Sequence, residues 1–311
     1  MKILVTGGAG FIGANFIMYM MEKYPDYRFV NLDKLTYAAN DFMKYQGGDR
    51  YLFIQGDICD KEKVRMAMQE CDMVVHFAAE SHVDRSITGP TIFVETNVLG
   101  TEVLLEIALE LGIKRFHHVS TDEVFGSLSL DNPDERFNEE TPYKPHSPYS
   151  ASKAASDHLV RAFFDTYKLP ITISNCSNNY GPLQFPEKII PLFIKNASQD
   201  KPLPIYGKGL AVRDYLYVTD HCKAIDLILH NGIPGETYCV GGDSEMNGLE
   251  IAATILEAMN KPQDLLTFVE DRKGHDMRYA IDHSKITRDL GWVPSVNFKQ
   301  GIEKTLDYYL N

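Results

Sequence analysis

The first half of the chain alternates between two hydrophobic periodicities. Short apolar runs, which are typical of buried strands, are separated by stretches in which apolar residues recur at helical spacing. The runs are Ile3–Thr6, Phe29–Leu32, Tyr51–Gln55, Met73–Phe77 and Phe116–Val119. Regular alternation of strands and helices predicts an α/β fold with a doubly wound parallel sheet.

The second half has a different pattern. From about Asn175 onward, interrupted helices and short strands are mixed with many Pro and Gly residues. We therefore predict a larger sheet domain over residues 1–174 and a smaller mixed α/β part over residues 175–311, with segments that can interleave. Trp292 and the last predicted helix, Gly301–Tyr309, are expected to serve packing.

The predicted helix over Thr91–Leu111 is apolar on more than one face. Its apolar residues divide into Leu99, Val103 and Ile107 on one side and Leu104, Ala108 and Leu111 on the other. A surface helix needs only one apolar stripe. The second face is therefore expected to meet either a neighbouring helix or another subunit, and the sequence leaves both open.

Composition and charge argue against several classes of protein. The 311 residues carry a formal net charge of −12, which argues against nonspecific binding to nucleic acid or to an anionic membrane. Without an apolar leader or a run long enough to span a bilayer, the chain is expected to be cytoplasmic. Its five cysteines are scattered and lack a Cys-x-x-Cys pair, which predicts reduced core thiols and no metal site.

A glycine-rich turn, Gly7–Gly13, follows the first apolar run and precedes helical periodicity from Phe16. A strand, turn and helix in this order cradle a pyrophosphate against the helix amino terminus. Asp33 ends the next strand, at the spacing where an acid grips an adenosine ribose hydroxyl. Its carboxylate would repel a 2′-phosphate. These two signals predict a Rossmann-type domain that binds NAD rather than NADP.

Three polar residues follow the run Phe116–Val119. Thr121, Asp122 and Glu123 lie at the carboxyl end of that strand, where open α/β sheets bind their ligands. A hydroxyl beside two carboxylates can bind an oxygen, supply an acid and supply a base. The alternative is a solvated turn, in which the same residue types are common.

Tyr149 and Lys153 form another candidate pair. They are four positions apart on a helix predicted to run through Tyr167, so their side chains share a face. A neighbouring ammonium favours the phenolate and should lower the pKa of Tyr149, which would suit a base for a substrate hydroxyl. Lys153 could also reach a cofactor ribose. The alternative is an accidental surface pair.

These features resemble the extended short-chain dehydrogenase/reductases that act on nucleotide sugars. Further blocks closely resemble one family in that group, the dTDP-glucose 4,6-dehydratases, over nearly the whole chain. The blocks are Ser81–Ser86, Thr121–Glu123, Asn175–Pro182, Pro186–Lys188, Arg213–Val218 and Asp271–Asp276. The resemblance implies bound NAD, conversion of dTDP-glucose to a 4-keto-6-deoxy sugar for deoxysugar synthesis, most commonly of rhamnose, and a homodimer through the helices over residues 91–111 and 150–167.

The resemblance also implies a role for each catalytic candidate. Tyr149 takes the proton of the C4 hydroxyl, Thr121 holds that oxygen, and the resulting ketone acidifies the C5 proton. Glu123 removes that proton while a protonated Asp122 donates to the departing C6 oxygen. Asp122 and Glu123 must therefore differ in protonation, which their mutual repulsion and partial burial would promote.

Pattern and resemblance together give two sets of binding residues and no metal ligands. The cofactor set is Gly7, Gly10, Phe11, Ile12, Gly13, Asp33, Lys34, Leu35, Thr36, Asp57, Ile58, Phe77, Ala78, Ala79, Ser81, Thr96, Tyr149, Lys153 and Asn179. The substrate set is Ser81, Thr121, Asp122, Glu123, Asn178, Lys188, Ile189, Pro204, Tyr206, Arg213, Asn247, Arg272 and His275. Its Lys, Arg and His residues supply the cations that a diphosphate requires.

Other functions stay open at this point. A nucleotide-sugar 4-epimerase would share Tyr149, Lys153 and Thr121 but would not need an acid and a base at positions 122 and 123. A non-catalytic NAD-sensing module would keep the glycine turn and Asp33 without the catalytic groups. The residues alone also leave UDP-, CDP- and GDP-sugars open as substrates.

Overall fold

The structure is a computed structural model that describes residues 1–44, 48–271 and 274–310. Its strands are β1 (Lys2–Thr6), β2 (Arg28–Asp33), β3 (Tyr51–Gln55), β4 (Met73–His76), β5 (Arg115–Thr121), β6 (Ile171–Cys176), β7 (Asn178–Tyr180), β8 (Leu203–Tyr206), β9 (Val212–Tyr217), β10 (Thr237–Val240), β11 (Glu245–Asn247) and β12 (Leu266–Val269). Its α-helices are α1 (Phe11–Lys23), α2 (Lys61–Met68), α3 (Val83–Thr88), α4 (Thr91–Phe93), α5 (Gly100–Glu110), α6 (Pro148–Tyr167), α7 (Ile189–Ser198), α8 (Val218–Asn231), α9 (Gly248–Ala258), α10 (Ser284–Leu290) and α11 (Phe298–Leu310).

A seven-stranded sheet organises the molecule, in the order β10-β6-β5-β4-β1-β2-β3. All of its strand pairs are parallel, which confirms the predicted Rossmann-type fold. The chain order reverses between β1 and β4, so a crevice opens at their carboxyl ends. The glycine turn after β1 and the catalytic candidates after β5 both lie at this edge.

Alternating residues of β1 explain why helices cover both faces of the sheet. Leu4 packs into a core with α2, α5 and α6, while Ile3 and Val5 pack into a core with α1 and α8 on the opposite face. Successive strand residues point to opposite faces, so an apolar run without polar interruptions must be buried on both.

The second half of the chain returns to the large sheet before it builds its own layer. Strand β10 pairs with β6 at the sheet edge, and α8 packs beneath the sheet. Two small sheets, β11-β9-β7 and β12-β8, share a separate core with α7, α9 and α11. The cavity that concerns the site lies between this layer and the carboxyl edge of the large sheet.

The segment from Thr91 to Glu110 is a helix with a π-helical turn over Val94–Leu99, which the periodicity did not predict. Leu104 and Ala108 are buried against other helices of the same chain. A neighbouring helix therefore accounts for most of the second apolar face, on which Leu111 stays 38 % exposed. On the first face, Leu99 stays 50 % exposed. Across the described ranges, no helix has the length and apolarity needed to cross a bilayer.

Candidate active site

A cavity of about 320 Å³ opens at the carboxyl ends of the central strands. Every residue of the predicted cofactor set except Leu35 lines it. Thr96, which contributes to the wall, is carried by the π-helical turn. Insertions of this kind are frequent at functional sites because they re-aim side chains.

The glycine turn has the close packing that a pyrophosphate cradle requires. Gly7 has a φ of +71°, and a Cβ there would lie 2.6 Å from the Ala78 nitrogen. A Cβ on Gly13 would lie 2.4 Å from the Gly7 carbonyl oxygen. Neither position tolerates a side chain, so backbone N–H groups at the start of α1 can approach an anion directly. These residues fit bound NAD.

Asp33 is fixed at the end of β2 by backbone donors. Its Oδ2 accepts a hydrogen bond from Ala9 N at 2.9 Å, and its Oδ1 accepts one from Leu35 N at 2.7 Å. Leu35 contributes this backbone donor, while its side chain packs against the core that includes α1 and α8 and does not line the cavity. Lys34, a member of the predicted cofactor set, lines the cavity and forms an ion pair with Asp57 at 2.6 Å.

Thr121 ends β5, and a short 3₁₀ turn over Asp122–Phe125 presents the two carboxylates. Thr121 Oγ1 accepts a hydrogen bond from Glu123 N at 3.2 Å and donates to Asp122 Oδ1 at 3.3 Å. Asp122 is only 1 % exposed. Burial, and then the charges of Glu123 and Asp214, raise the pKa of Asp122 well above its ordinary value, which is the direction that the predicted protonated state requires.

Tyr149 lies in the first turn of α6, where Pro148 and a Ser147 capping box fix the start of the helix. Its hydroxyl bonds with Thr121, but burial and the nearby Glu123 raise its pKa well above the ordinary value. The predicted lowering of this pKa by Lys153 is therefore wrong. Lys153 Nζ instead donates to the Val119 carbonyl at 2.9 Å.

A second cavity, of about 330 Å³, adjoins the first. The residues common to both walls are Glu123, Asn178, Asn179, Gln184, Glu187 and Lys188. Of the predicted substrate set, Glu123, Asn178, Lys188, Ile189, Pro204, Tyr206, Arg213 and His275 line the second cavity, while Ser81, Thr121 and Asp122 line the first. Glu123 therefore stands at the junction of the cofactor-sized cavity and the cavity that carries the cations.

One described member of the substrate set, Asn247, is not among the residues that line the two cavities. The Asn247 side chain caps α9 by accepting from Leu249 N and Glu250 N, although its neighbour Gly248 lines the second cavity. Arg272 lies outside the described residues. Arg213 is held in place because Nη2 donates to the Asp276 carbonyl at 2.9 Å and its guanidinium stacks 4.1 Å from the Tyr279 ring.

Sequence reasoning missed several residues of the second cavity wall, including Gln184, Glu187 and Tyr279. Tyr279 donates to Asp276 Oδ2 at 2.5 Å, and Tyr37 donates to Glu187 Oε1 at 2.9 Å. Glu187 is adjacent to Lys188 in a block that had been singled out. An acidic residue is unexpected beside a diphosphate site, and this property was the signal that could have marked Glu187 as a residue of the cavity wall.

The loop over residues 182–184 carries Gln184, which lines both cavities, and it is held by three segments that are distant in sequence. Its successive carbonyls accept hydrogen bonds from Asn15 at 3.0 Å, from Asn40 at 3.4 Å and from Tyr309 of α11. The last helix was expected to serve packing only, yet it also supports this loop. Trp292 is buried, and its Nε1 donates to the Asp220 carbonyl, as a packing residue would.

Fold and site together define an enzyme class. A Rossmann-type sheet with a dinucleotide cradle, a Tyr-x-x-x-Lys helix and a Thr beside the tyrosine is the arrangement of a short-chain dehydrogenase/reductase. The two carboxylates at the cavity junction add proton-transfer capacity that hydride transfer alone does not need.

Comparison with known proteins assigns the family. The model of the GDP-mannose 4,6 dehydratase family matches residues 4–305, and the chain belongs to this family. Within it, the chain is 49 % identical to a dTDP-glucose 4,6-dehydratase of Escherichia coli, over 100 % of this chain and 94 % of that protein.

Solved structures agree with this placement. A dTDP-glucose 4,6-dehydratase of Streptomyces venezuelae with NAD bound superposes with a TM-score of 0.96 at 44 % identity, covering 100 % of this chain and 97 % of the other. A UDP-glucose 4-epimerase of Thermotoga maritima gives 0.92 at 28 % identity, with coverage of 100 % and 99 %. The fold is thus shared with epimerases, whereas the higher identity is to dehydratases.

Proposed function

We propose that this protein is an NAD-dependent hydro-lyase that converts dTDP-glucose to dTDP-4-keto-6-deoxy-glucose for deoxysugar synthesis, rhamnose being the commonest destination. The observation that carries the proposal is the pairing of the buried Asp122, whose pKa is raised well above its ordinary value, with Glu123, which lies where the two cavities meet. Full-length identity near 50 % to enzymes of that name supports it.

The residues divide the reaction among themselves. Bound NAD would supply the redox chemistry by accepting a hydride from C4 and returning it to C6. Tyr149 accepts the proton of the C4 hydroxyl, whose oxygen Thr121 holds. The C4 ketone makes the C5 proton acidic, and Glu123 removes it while Asp122 protonates the C6 oxygen that leaves as water. Glu123 then returns its proton to C5.

Tyr149 needs help to serve as a base, because burial and Glu123 raise the pKa of its phenol well above the ordinary value. Positive charge in the site favours the phenolate. An oxidised nicotinamide carries such a charge, and Lys153 on the same helix carries another.

We assign residues 1–174 mainly to cofactor binding and residues 175–311 mainly to binding of the nucleotide sugar. The cofactor and substrate sets given by the sequence are proposed in these roles, with Leu35 acting through its backbone N–H. Arg213 and Lys188 in the second cavity wall suit the diphosphate. Strand β10 is the exception to the division, since it completes the large sheet.

We further propose a cytoplasmic homodimer. The five cysteines are free thiols, as expected in a reducing compartment. Val94 and Leu99 on the helix over residues 91–111, and Tyr167 on α6, are 55 %, 50 % and 54 % exposed. Apolar residues exposed on adjacent helices suit an interface between two copies.

The test is incubation of the purified protein with dTDP-glucose and no added cofactor, followed by the alkali-induced absorbance of a 4-keto sugar. Product is expected from the parent and not from Tyr149→Phe. Incubation with UDP-glucose separates the rival reaction, because an epimerase would release UDP-galactose and no keto sugar. A parent protein with retained NAD that makes no keto sugar from dTDP-glucose would overturn the proposal.

A further inference from the structure

One buried carboxylate near the site has no part in the reaction described above. Asp157 lies on α6 one turn beyond Lys153, so Tyr149, Lys153 and Asp157 follow one another on the same helix face. Its exposed fraction is 0 %. A carboxylate removed from water is retained only when charges and hydrogen bonds compensate for its lost hydration.

The hydrogen bonds of Asp157 connect it to the two strands that end at the site. Oδ2 accepts from Ser120 Oγ at 2.8 Å, from Tyr143 at 2.8 Å and from Asn175 Nδ2 at 3.2 Å. Asn175 Nδ2 also donates to the Thr121 carbonyl at 3.1 Å. The carboxylate therefore fixes the peptide that precedes Asp122.

The other oxygen of Asp157 faces the surroundings of Lys153. Oδ1 lies 3.1 Å from His118 Nε2, and that nitrogen lies 3.4 Å from Lys153 Nζ. Burial lowers the pKa of His118 to about 4, so this histidine is neutral at working pH. Burial raises the pKa of Asp157, but His118, Lys153 and the Tyr143 hydroxyl together outweigh burial and hold that pKa below the ordinary value. The neutral imidazole of His118 therefore lies between the ionised carboxylate of Asp157 and the ammonium of Lys153.

Other groups around Lys153 do not replace this charge. Burial lowers the pKa of His76 on β4 and raises the pKa values of Cys176 on β6 and of Tyr149, so burial disfavours the charged form of each. Asp122, which follows β5, has its pKa raised well above the ordinary value by burial. The cation Arg161 points to the Tyr143 hydroxyl at 2.8 Å, on the far side of Asp157.

We propose that Asp157 is a positioning residue with two duties: its negative charge keeps the buried Lys153 protonated, and its hydrogen bonds hold the end of β5 that presents Thr121 and Asp122. The inference rests on the proposed function, in which a charged Lys153 is needed. Burial opposes that charge and Asp157 is the largest influence that favours it, in agreement with the geometry.

The test compares Asp157→Asn with Tyr143→Phe, both as holoenzymes. Asp157→Asn removes the charge with little change of shape, and Tyr143→Phe removes one hydrogen bond to the same oxygen but leaves the charge. The readouts are the pH profile of kcat/KM and, independently of turnover, the pH at which retained NAD is released. Asp157→Ser serves as a second charge-removing variant with room for a water molecule.

Without the carboxylate, Lys153 should lose its proton at lower pH. The alkaline limb of the kcat/KM profile and the pH of NAD release should both move down by about one unit or more in Asp157→Asn and Asp157→Ser. Both should stay in place in Tyr143→Phe. A uniform loss of activity with an unmoved alkaline limb would mean a merely structural role and would overturn the proposal. Failure of the proposed function would instead appear in the parent, as retained NAD without keto-sugar product.

Discussion

Replacing Asp122 with Asn should separate the oxidation step from the loss of water. Asparagine has nearly the shape of a protonated aspartic acid, and the Asp122 side chain is 1 % exposed with no solvent to rearrange around it. The variant keeps Glu123 and Tyr149 in place but has no acidic proton to give to the C6 oxygen. We expect C4 oxidation to continue and elimination to slow by about 10²–10⁴-fold, the usual contribution of one proton-transfer group.

The same change should stabilise the protein at neutral pH. The folded-state pKa of Asp122 is raised above the unfolded value, so the native state holds a proton that the unfolded chain has released. Stability then falls as pH rises from the unfolded pKa toward the folded one. Each unit of such a shift is worth about 1.4 kcal/mol, and asparagine removes this cost. We expect Tm to rise by at least about 2 °C at neutral pH and to match the parent at strongly acidic pH.

Rapid mixing with dTDP-glucose would follow both steps in one experiment. The absorbance of reduced nicotinamide should rise and persist in Asp122→Asn, while the 4-keto-6-deoxy product lags. Asp243→Asn is a matched control, since the pKa of Asp243 is lowered by its hydrogen bond to His283. That variant should turn over normally and lose stability at neutral pH. Product formation by Asp122→Asn at the parent rate, or a fall in its Tm at neutral pH, would refute the reasoning.

Three further changes test other parts of the account. Gly13→Ala should abolish copurification of NAD, because the new Cβ would lie 2.4 Å from the Gly7 carbonyl oxygen. The control Gly89→Ala, whose Cβ would have its nearest contact at 3.8 Å, should retain NAD. Equal NAD content of the two variants by absorbance would contradict the proposed pyrophosphate cradle. His230→Gln should destabilise the protein more at about pH 5.5 than at about pH 8.5. The hydrogen bond to Asp226 raises the pKa of His230, so the stability that the protonated His230 contributes is lost as pH rises through the raised pKa. Parallel curves of Tm against pH for parent and variant would contradict this prediction. Leu99→Glu should convert a dimer to a monomer in sedimentation experiments without loss of bound NAD, and an unchanged dimer would exclude this helix face.

Local patterns in the sequence were sufficient to predict strands β1 to β5 of the large sheet and much of the site, whereas β6 and β10 were not among the predicted apolar runs. A strand that is buried on both faces appears in the sequence as a continuous apolar run. Asp33 and Thr121 each end such a strand, so their positions at the carboxyl edge of the sheet could be predicted. The cofactor cavity could be anticipated for the same reason, since ligands bind where parallel strands end.

Features that depend on packing between distant segments could not be read in advance. The pKa of Tyr149 is governed by burial and by Glu123, which outweigh a lysine at helical spacing. The loop over residues 182–184 is held by Asn15, Asn40 and Tyr309, which are far apart in sequence. The role proposed for Asp157 depends on hydrogen bonds from Ser120 and Asn175, which lie on strands β5 and β6 and far from it in sequence.

The central claim is that a transient C4 ketone loosens the C5 proton and that the electrons taken from C4 come back to C6 of the same molecule. It is tested most directly with dTDP-glucose deuterated at C4, turned over in ordinary water and analysed by NMR and mass spectrometry. The account predicts one deuterium in the C6 methyl group of the product and a solvent-derived hydrogen at C5. Loss of the label to solvent, or its retention at C4 of an epimerised sugar, would contradict it.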